Sequence, residues 1–482
     1  MSKPNELSSQ WGYSRPLTNA SSRGEHMGVA GATDARVMSG MTGKLLLATA
    51  LYVAALLWAY ATIVVPEYGY EGFGLRWPSA LESAWLITMV LSPVLFLRSS
   101  SSRPSALVVW WLYLTVYIPA IIVPALSLSM PPGMLLQLQL TLLLCLGLLS
   151  WASSGCRLLR VRQMVVSPTL FWPVLVMIWV ICLAILIALG RFSSLVSNIA
   201  ALFEGANEYD IRSKYAVLGQ EVPVLGYVTG QVSNAIDPFL MAFGLRYRRP
   251  ACLIAGIVGQ IVVFSLTGFK GALASIFFLA LLAGVVLRSR RSFGLALAST
   301  LIVAVLGSTV IDRATNGTWF TCMITRRTIM TPGMLTGFYF EHYSQIGPVG
   351  MGWHFSLLRD ERMLTPANEI GFAYFGDPHV NANANLWAQG YADAGLTGMF
   401  LYTIITAFLI WLYDSIAAAR DPTMALLLLA MPAANVSNTL PTTVLITHGA
   451  LATALVLYFS PLSTPSESVE PGLSRDQGRH SD

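Results

Sequence analysis

Apolar runs of about twenty residues recur along this chain, and they limit its fold more than any other feature. Hydrophobic residues make up 55% of the sequence and charged residues only 11%, whereas soluble domains carry about 25% charged residues. An apolar run of about 20 residues is long enough to cross a bilayer as a helix. The runs also lack the two-residue alternation of membrane β-barrels. The sequence therefore predicts an all-α polytopic membrane protein.

We expect about twelve transmembrane helices within a membrane domain that covers residues 44–462. Their approximate positions are 45–65, 80–97, 105–128, 134–152, 168–190, 233–247, 251–268, 271–287, 292–312, 394–416, 421–438 and 441–460. The span 233–247 is short, and its neighbours have the alternative of re-entering the membrane from one side. The polar ends, residues 1–43 and 463–482, are predicted to be disordered cytoplasmic tails.

The loop charges give an independent test of this arrangement. Arginines cluster in alternate loops, which is the positive-inside pattern of multi-pass membrane proteins. Both termini are then cytoplasmic, and two long segments, about 191–232 and 313–393, lie on the outer side. The clusters are small and stand at span ends, so the net charge of +5 does not indicate a nucleic-acid partner. The predicted cytoplasmic loops carry Arg98, Arg103, Arg157, Arg160, Arg162, Arg246, Arg248, Arg249, Arg288, Arg290, Arg291 and Arg420.

Known metal and cofactor motifs are missing from the sequence. The five cysteines form no CxxC pair, and the histidines lack the i, i+4 spacing of a helical metal site. There is also no GxxxxGK[ST] phosphate loop and no GxSxG nucleophile motif. We therefore expect neither a metal nor a cofactor.

The long outer segment 313–393 gathers most of the residues able to do chemistry. Arg326 and Arg327 precede a Pro-Gly turn, where two guanidinium groups either bind a diphosphate or face water. Glu341 and His342 are the best candidates for a general base, because imidazole titrates near neutral pH. The alternative for His342 is a hydrogen-bonded packing role among aromatic residues. His379 with Asp377, and His354, are weaker candidates.

A second group of cations lies in and near the shorter outer segment. Arg212 and Lys214 occur in YDIRSKY, which is either a phosphate-binding element or a solvated interfacial helix. Lys270 stands between glycines and apolar spans in TGFKGAL. An ionisable residue at a membrane boundary is a functional candidate, and the alternative is a lysine that snorkels to the interface.

Three stretches of the outer segments resemble the Wzy-type O-antigen and oligosaccharide repeat-unit polymerases of bacterial envelopes. They are YDIRSKY (209–215), TRRTIMTPGMLTGFYFEHYSQIGP (325–348) and NANANLWAQGYADAGLTGMFLY (381–402). The resemblance covers roughly residues 190–405. It implies a GT-C-like membrane glycosyltransferase with a large extracytoplasmic loop between late helices.

The resemblance also implies a reaction and its partners. The substrates would be undecaprenyl-diphosphate-linked oligosaccharides on the outer face of the bacterial inner membrane, and the transfer would be metal-independent. Arg212, Arg326 and Arg327 would bind diphosphate by motif position. A chain-length regulator and a flippase would act in the same pathway. Asn381, Asn383 and Asn385 either hydrogen-bond sugar or cap a helix before Trp387.

Two other functions compete with polymerisation. An O-antigen ligase has related chemistry and a similar large loop, so donor and acceptor are not separable from the sequence. A transporter or flippase for the same lipid-linked material would place its binding residues within the spans. The remaining alternative is that the chain is a membrane protein without catalytic activity that assists such an enzyme.

Overall fold

The structure is a computed structural model that describes residues 22–162, 164, 166–189, 208–351 and 364–461, without the side chains of 22–39, 208–210, 212, 213, 216 and 220. The chain divides into two compact units, residues 1–44 and 45–482. Within the described ranges every regular element is helical, which confirms the predicted all-α class. The terminal stretches 1–21 and 462–482 of the predicted tails lie outside the described residues.

The first half of the described chain contains ten α-helices. They are α1 (Ser22–Ala59), α2 (Val65–Tyr68), α3 (Ala80–Leu91), α4 (Ala106–Leu112), α5 (Ile118–Ser127), α6 (Pro132–Ser154), α7 (Pro168–Leu189), α8 (Glu208–Glu221), α9 (Val224–Gln231) and α10 (Asp237–Tyr247). Helix α1 thus begins inside the segment 1–43 that the sequence assigns to a tail. Short π-helical segments, Tyr60–Val64, Tyr113–Tyr117 and Val232–Ile236, join consecutive helices.

The second half contains the elements of the long outer segment. Its helices are α11 (Pro250–Thr267), α12 (Lys270–Arg288), α13 (Phe293–Thr315), α14 (Trp319–Thr321), α15 (Thr331–Ile346), α16 (Pro366–Phe375), α17 (Leu386–Ala417), α18 (Pro422–Leu428), α19 (Ala430–Val436), α20 (Pro441–Ile446) and α21 (Ala450–Phe459). A π-helical segment, Cys322–Met330, connects α14 to α15. The described parts of the outer segment are therefore mostly helical.

Eight helical runs in the described residues are long and apolar enough to cross a membrane. This supports a multi-pass membrane protein, while the predicted number of twelve spans is higher. The predicted spans 80–97, 421–438 and 441–460 correspond to shorter apolar helices, and 233–247 falls in the interrupted run of α9 and α10. The long runs are Gly40–Glu71, Ala106–Ser127, Pro132–Ser154, Pro168–Leu189, Pro250–Thr267, Lys270–Arg288, Phe293–Thr315 and Leu386–Ala417.

The run Ala106–Ser127 is the central helix of the membrane domain. All of residues 104–126 are buried, so its neighbours surround it on every side. Two of its tyrosines also bind it to α3, because the hydroxyl groups of Tyr113 and Tyr117 donate hydrogen bonds to backbone carbonyls of α3 at 2.8 Å. A buried phenol needs such a partner, and a carbonyl of a neighbouring helix supplies it.

The loops that carry the predicted cytoplasmic arginines are bound to one another at one end of this helix. Ser105, just before the central helix, donates from its N–H and its hydroxyl to the Asp414 carboxylate at 2.9 and 2.5 Å. We call this region the basic end. Further links join Arg103 to Cys156, Ser101 to Arg290, Arg246 to Asp421, Arg162 to Tyr458, and Arg420 to Tyr458 and Ser460.

The other end of the central helix lies about 33 Å away, given 22 residues and about 1.5 Å of rise per residue. There the Tyr60 hydroxyl lies 2.5 Å from the Ser127 hydroxyl and donates to the Gly74 carbonyl at 2.7 Å. We call this region, which includes the loop 72–79, the far end. All the basic loops thus share the opposite end, as the positive-inside pattern predicts for one side of a membrane.

Helix α17 is broken and folds back on itself. Ala394 and Gly395 leave the helical conformation, and Gly395 has φ 61° and ψ −144°. Residues 386–393 and 396–417 consequently form a tight hairpin in which the Gly390 and Gly398 backbones touch. A Cβ atom on Gly398 would lie 1.8 Å from the Gly390 carbonyl oxygen, far inside van der Waals contact.

We expect Gly398→Ala to destabilise the protein by several kcal/mol, because the new methyl group collides with backbone that has no room to move. The control is Gly307→Ala in α13, where a Cβ meets nothing within 4 Å. That change should be neutral or stabilising by about 0.5–1 kcal/mol. Heating the detergent-solubilised proteins and measuring the monodisperse fraction compares the two. Equal heat resistance would contradict the close contact.

Candidate functional site

The described candidate residues lie at the far end. Lys270 begins α12, whose last residue Arg288 belongs to a loop of the basic end, so about 28 Å of helix separates them. Glu341 and His342 lie on α15, which packs along α5 and contacts the loop 72–79. The structure thus collects the candidates on the side away from the basic loops.

Buried Arg326 is the centre of a cluster that we call the arginine end (Tyr68, Glu71, Cys322, Arg326 and Arg327). Its guanidinium forms an ion pair with Glu71, lies 4.3 Å above the Tyr68 ring centroid, and donates from Nη2 to Cys322 Sγ at 3.1 Å. Only 9% of Arg326 is exposed. The Glu71 carboxylate and the aromatic face therefore compensate the buried charge.

The two adjacent arginines occupy different environments. Arg326 uses both terminal nitrogens within the protein, and its Nε has no hydrogen-bond partner among the described residues. Arg327 is exposed. A phosphate group that arrives at this end would meet Arg327 first, and it would have to compete with Glu71 for Arg326.

A second cluster, the histidine end, consists of Glu341, His342, Tyr343, Glu369 and Tyr374. Nε2 of His342 lies 3.4 Å from Oε1 of Glu369, close enough for an ion pair but outside hydrogen-bond geometry. The Tyr343 hydroxyl donates to Oε2 of the same Glu369 at 2.8 Å, and the Tyr374 hydroxyl donates to Glu341 at 2.8 Å. Two carboxylates from two helices are thus each bound by a tyrosine.

The protonation of this cluster follows from its contacts. Burial, and then the hydrogen bond to Glu369, raises the pKa of the Tyr343 phenol well above its ordinary value. Burial and the hydrogen bond to Glu341 have the same effect on the pKa of Tyr374. Both tyrosines therefore act as hydrogen-bond donors. A His342 tautomer with its proton on Nε2 would face the Glu369 carboxylate and leave Nδ1 as the proton acceptor.

The structure places Glu369, rather than Glu341, beside His342. Residues i and i+1 of a helix point in different directions, so Glu341 and His342 diverge from α15 although they are neighbours in the sequence. Glu341 instead faces Tyr374. An imidazole next to a carboxylate is the arrangement that orients a general base.

One helical run joins the two ends. It extends from Trp319 through the π-helical segment to Ile346, and its junction residues all have helical backbone angles. Arg326 and His342 stand sixteen positions apart on this run, which corresponds to about 24 Å or slightly less. The two side chains therefore cannot contact the same reacting atom.

The segment that follows α2 bridges the two ends. Glu71 pairs with Arg326, and a Cβ atom on the next residue, Gly72, would lie 2.7 Å from the Phe338 ring. Phe338 in turn stacks on Tyr374 with ring centroids 3.9 Å apart. A continuous chain of contacts thus joins the arginine end to the histidine end.

An apolar cavity of about 450 Å³ opens beside the loop 72–79. Its wall at the far end is formed by the loop residues Leu75, Trp77 and Pro78. Leu75 is three positions after Gly72. Arg76 stands between them, half exposed, and pairs with Glu82 at 3.2 Å. The rest of the lining comes from α1 with the π-helical segment after it, from α3 and from α5. It is apolar apart from Ser83: Ala50, Val53, Ala54, Leu57, Ala61, Leu86, Ile87, Val90, Leu91, Ile122 and Leu126.

The second group of cations is also brought together. The Tyr215 ring lies 5.6 Å from the Phe269 ring, and the Tyr215 hydroxyl lies 2.6 Å from that of Thr229. These contacts hold α8 against the start of α12, so Lys214 and Lys270 come from neighbouring elements. Lys214 is exposed and Lys270 is half-buried. Arg212 lies in α8, and its side chain lies outside the described residues.

The three asparagines before α17 differ in their roles. The Asn385 side chain is completely buried, accepts from the N–H groups of Trp387 and Ala388, and donates to Thr336 at 2.7 Å and to the Pro332 carbonyl at 3.2 Å. It caps α17 and ties it to α15, so no polar group is left for a sugar. Asn381 and Asn383 are exposed and remain available to a ligand.

Two carboxylates of the site, Glu71 and Glu369, were not singled out by the sequence analysis. The local sequence predicts that Glu369 lies in the first turn of a helix, because Thr365 is a typical N-cap residue and Pro366 a typical first helical residue. Glu71 carries no local signal, since its partner is 255 positions away. His379 is exposed and its N–H donates to Asp377 at 2.8 Å, as in a local turn. His354 lies outside the described residues.

The asparagines give a test that separates stability from binding. Asn385→Ala should destabilise the protein by about 2–4 kcal/mol, because it removes a cap and leaves buried partners unpaired. Asn383→Ala, two residues earlier and exposed, should keep wild-type heat resistance. If Asn385→Ala unfolds at the wild-type temperature in detergent, the capping role is wrong.

Comparison with known proteins finds no matching family model, no matching curated protein and no matching solved structure.

Proposed function

We propose that this chain is an oligosaccharide repeat-unit polymerase of the Wzy type. It would join undecaprenyl-diphosphate-linked repeat units into a surface polysaccharide, O-antigen, capsule or exopolysaccharide, by metal-independent glycosyl transfer. The far end would face the outer side of the bacterial inner membrane, with both termini in the cytoplasm. A chain-length regulator and a flippase would be partners in the same pathway.

The observation that carries the proposal is the layout of the far end. It has two separate groups of cations, Arg326 with Arg327 and Lys214 with Lys270, and an imidazole beside a carboxylate on the same helical run as the arginines. The proposed reaction has two lipid-linked substrates, and each carries a diphosphate. Two cation groups are what two diphosphates need.

The separation of about 24 Å between Arg326 and His342 assigns roles within this scheme. The reactive hydroxyl of the acceptor is at the far tip of its repeat unit, an oligosaccharide's length from its own diphosphate. Arg326 and Arg327 would therefore hold the diphosphate of the acceptor, while His342 meets its terminal hydroxyl. Lys214 and Lys270 are assigned to the diphosphate of the donor, which becomes the leaving group, on their charge alone.

The chemical step balances with these groups alone. The acceptor hydroxyl attacks the anomeric carbon of the donor, and a new glycosidic C–O bond forms. The bond from that carbon to the diphosphate oxygen breaks, and undecaprenyl diphosphate departs with the electron pair. The hydroxyl proton passes to Nδ1 of His342, which Glu369 orients.

The apolar cavity gives the acceptor's lipid a place next to its diphosphate. An isoprenoid chain has no polar atoms, and the cavity walls from α1, α3 and α5 are almost entirely apolar. The loop 72–79 connects this cavity to Glu71 and so to Arg326. A lipid tail in the cavity and a diphosphate at the arginine end would thus belong to one molecule.

The first test is the length of surface glycans in a strain that lacks this chain. We expect only single repeat units on deletion and long chains on complementation with wild type. Arg327→Ala should lower polymerisation about 10- to 100-fold at limiting acceptor, because a lost hydrogen bond to a charged group weakens binding by about 1.5–3 kcal/mol. His342→Ala should lower it about 100- to 10,000-fold, as for a lost general base. Glycan ladders at matched protein levels give the measurement.

The control variant is Arg291→Ala, an exposed arginine of the basic end, which should leave the ladder unchanged. Lipid-linked units that accumulate on the cytoplasmic face after deletion would favour a transporter instead. Long polymer that accumulates on the lipid carrier would favour a ligase. Normal long chains after deletion would refute both the polymerase and its competitors.

The cavity is tested by filling it. Ala54→Trp, in the wall formed by α1, should raise KM for the lipid-linked acceptor roughly tenfold with little change in kcat, since it removes binding rather than chemistry. Ala454→Trp fills a comparable apolar cavity of about 350 Å³ near the basic end and serves as the control. Equal KM values in reconstituted vesicles would exclude the cavity as the tail site and leave the polymerase proposal standing.

A further inference from the structure

Asp237 is an acidic residue in the membrane domain that the proposed function does not use. It begins α10 directly after the π-helical segment Val232–Ile236 and is completely buried. Nε1 of Trp179, on α7, donates to its Oδ1 at 2.7 Å. Its other oxygen, Oδ2, has no hydrogen-bond partner among the described residues.

Gln260 on the neighbouring helix α11 also has a buried side-chain oxygen without a hydrogen-bond partner. It is also completely buried, and its Nε2 donates to the Ser233 carbonyl at 2.6 Å. That carbonyl lies in the π-helical segment, where the backbone bond from Asp237 goes to Val232 instead. The Gln260 Oε1 atom has no hydrogen-bond partner in the same described set.

Two contacts of α11 place Asp237 and Gln260 at the same turn of the neighbouring helix. A Cβ atom on Gly259, next to Gln260, would fall 2.2 and 2.5 Å from the two carboxylate oxygens of Asp237, so α11 passes directly over this group. Helical side chains lean towards the N-terminus, which brings the Asp237 carboxylate towards Ser233, where the Gln260 amide is anchored. Both oxygens are acceptors, and two acceptors do not bind each other.

An ionised carboxylate in this position would be very costly. Burial of an unpaired charge costs many kcal/mol, and such groups become neutral instead. In the described part of the chain, Asp237 makes no ion pair with Lys, Arg or His. The helix α12, which packs against α10, carries its only cations at its two ends, Lys270 and Arg288. The helix α18 also packs against α10, and Asp421 just before it is paired with Arg246.

We propose that Asp237 is a proton-binding site inside the membrane domain, where its Oδ2–H group donates a hydrogen bond to Oε1 of Gln260. One proton satisfies both unpaired oxygens. The hydrogen bond joins α10 to α11 and, through the amide of Gln260, closes the gap in the π-helical segment. This site is independent of the far end and does not rest on the polymerase proposal.

Infrared spectroscopy of the purified protein in lipid tests the protonation directly. We expect a carboxylic-acid C=O band at neutral pH that disappears in Asp237→Asn. The same band should shift in Gln260→Leu, which removes only the acceptor. The control is Asp312→Asn, because both oxygens of this buried acid already accept backbone N–H bonds, so the band should remain.

The variants also make a stability test. Asp237→Asn should keep wild-type heat resistance, because its amide NH2 replaces the proposed O–H donor while Oδ1 still accepts from Trp179. Asp237→Leu should lose heat resistance, because Trp179 Nε1 and Gln260 Oε1 then both lack a partner. No Asp237-dependent acid band at neutral pH, or a band that Gln260→Leu leaves unshifted, would overturn the proposal even if Asp237→Asn fails to fold.

Discussion

The architecture depends on a helix that is buried on all sides. The run Ala106–Ser127 has no exposed face up to residue 126, so helices must cover it in every direction, including on the side of the long outer segment. Helix α15 fills that side at very short range, since a Cβ atom on Gly333 would lie 2.5 Å from Pro119 Cβ. This contact fixes α15, and with it Glu341 and His342, against the membrane domain. The histidine end is therefore built on a rigid element rather than on a loop.

The parts of the fold that the sequence predicts are those encoded by local hydrophobicity. A run such as Pro168–Leu189 is apolar over its entire length, and its identity as a membrane span follows from that alone. The region 421–460 is equally apolar but contains Pro432, Asn438 and Pro441, and it forms four short helices where the sequence predicts two continuous ones. Breaks of this kind are stabilised by neighbours such as Asn234, which accepts from Asn435 at 3.2 Å. Those neighbours are far away in the sequence, so the breaks could not be predicted.

The same limit applies to the candidate site. Residue type was enough to select Arg326, His342 and Lys270, because cations and an imidazole on an outer segment are unusual in an apolar chain. Their partners depend on tertiary packing, and neither Glu71 nor Glu369 has a sequence relation to the residue it contacts. The asparagine repeat shows that neighbouring residues of one type can have different roles. Asn383 and Asn385 are two positions apart, yet one is exposed and the other is a buried cap.

Two buried ionisable groups show two ways in which the chain resolves the cost of burial. Arg326 keeps its charge, because guanidinium cannot release its proton in a protein, and so it requires Glu71 and the face of Tyr68. A carboxylic acid has the other option. Asp237 has a tryptophan N–H on one oxygen and an amide oxygen near the other, and a proton satisfies this environment better than a charge does. A charged pair can be opened by an anionic ligand that replaces Glu71, whereas a neutral hydrogen bond offers such a ligand nothing. We therefore expect ligand binding at the far end and helix packing in the interior.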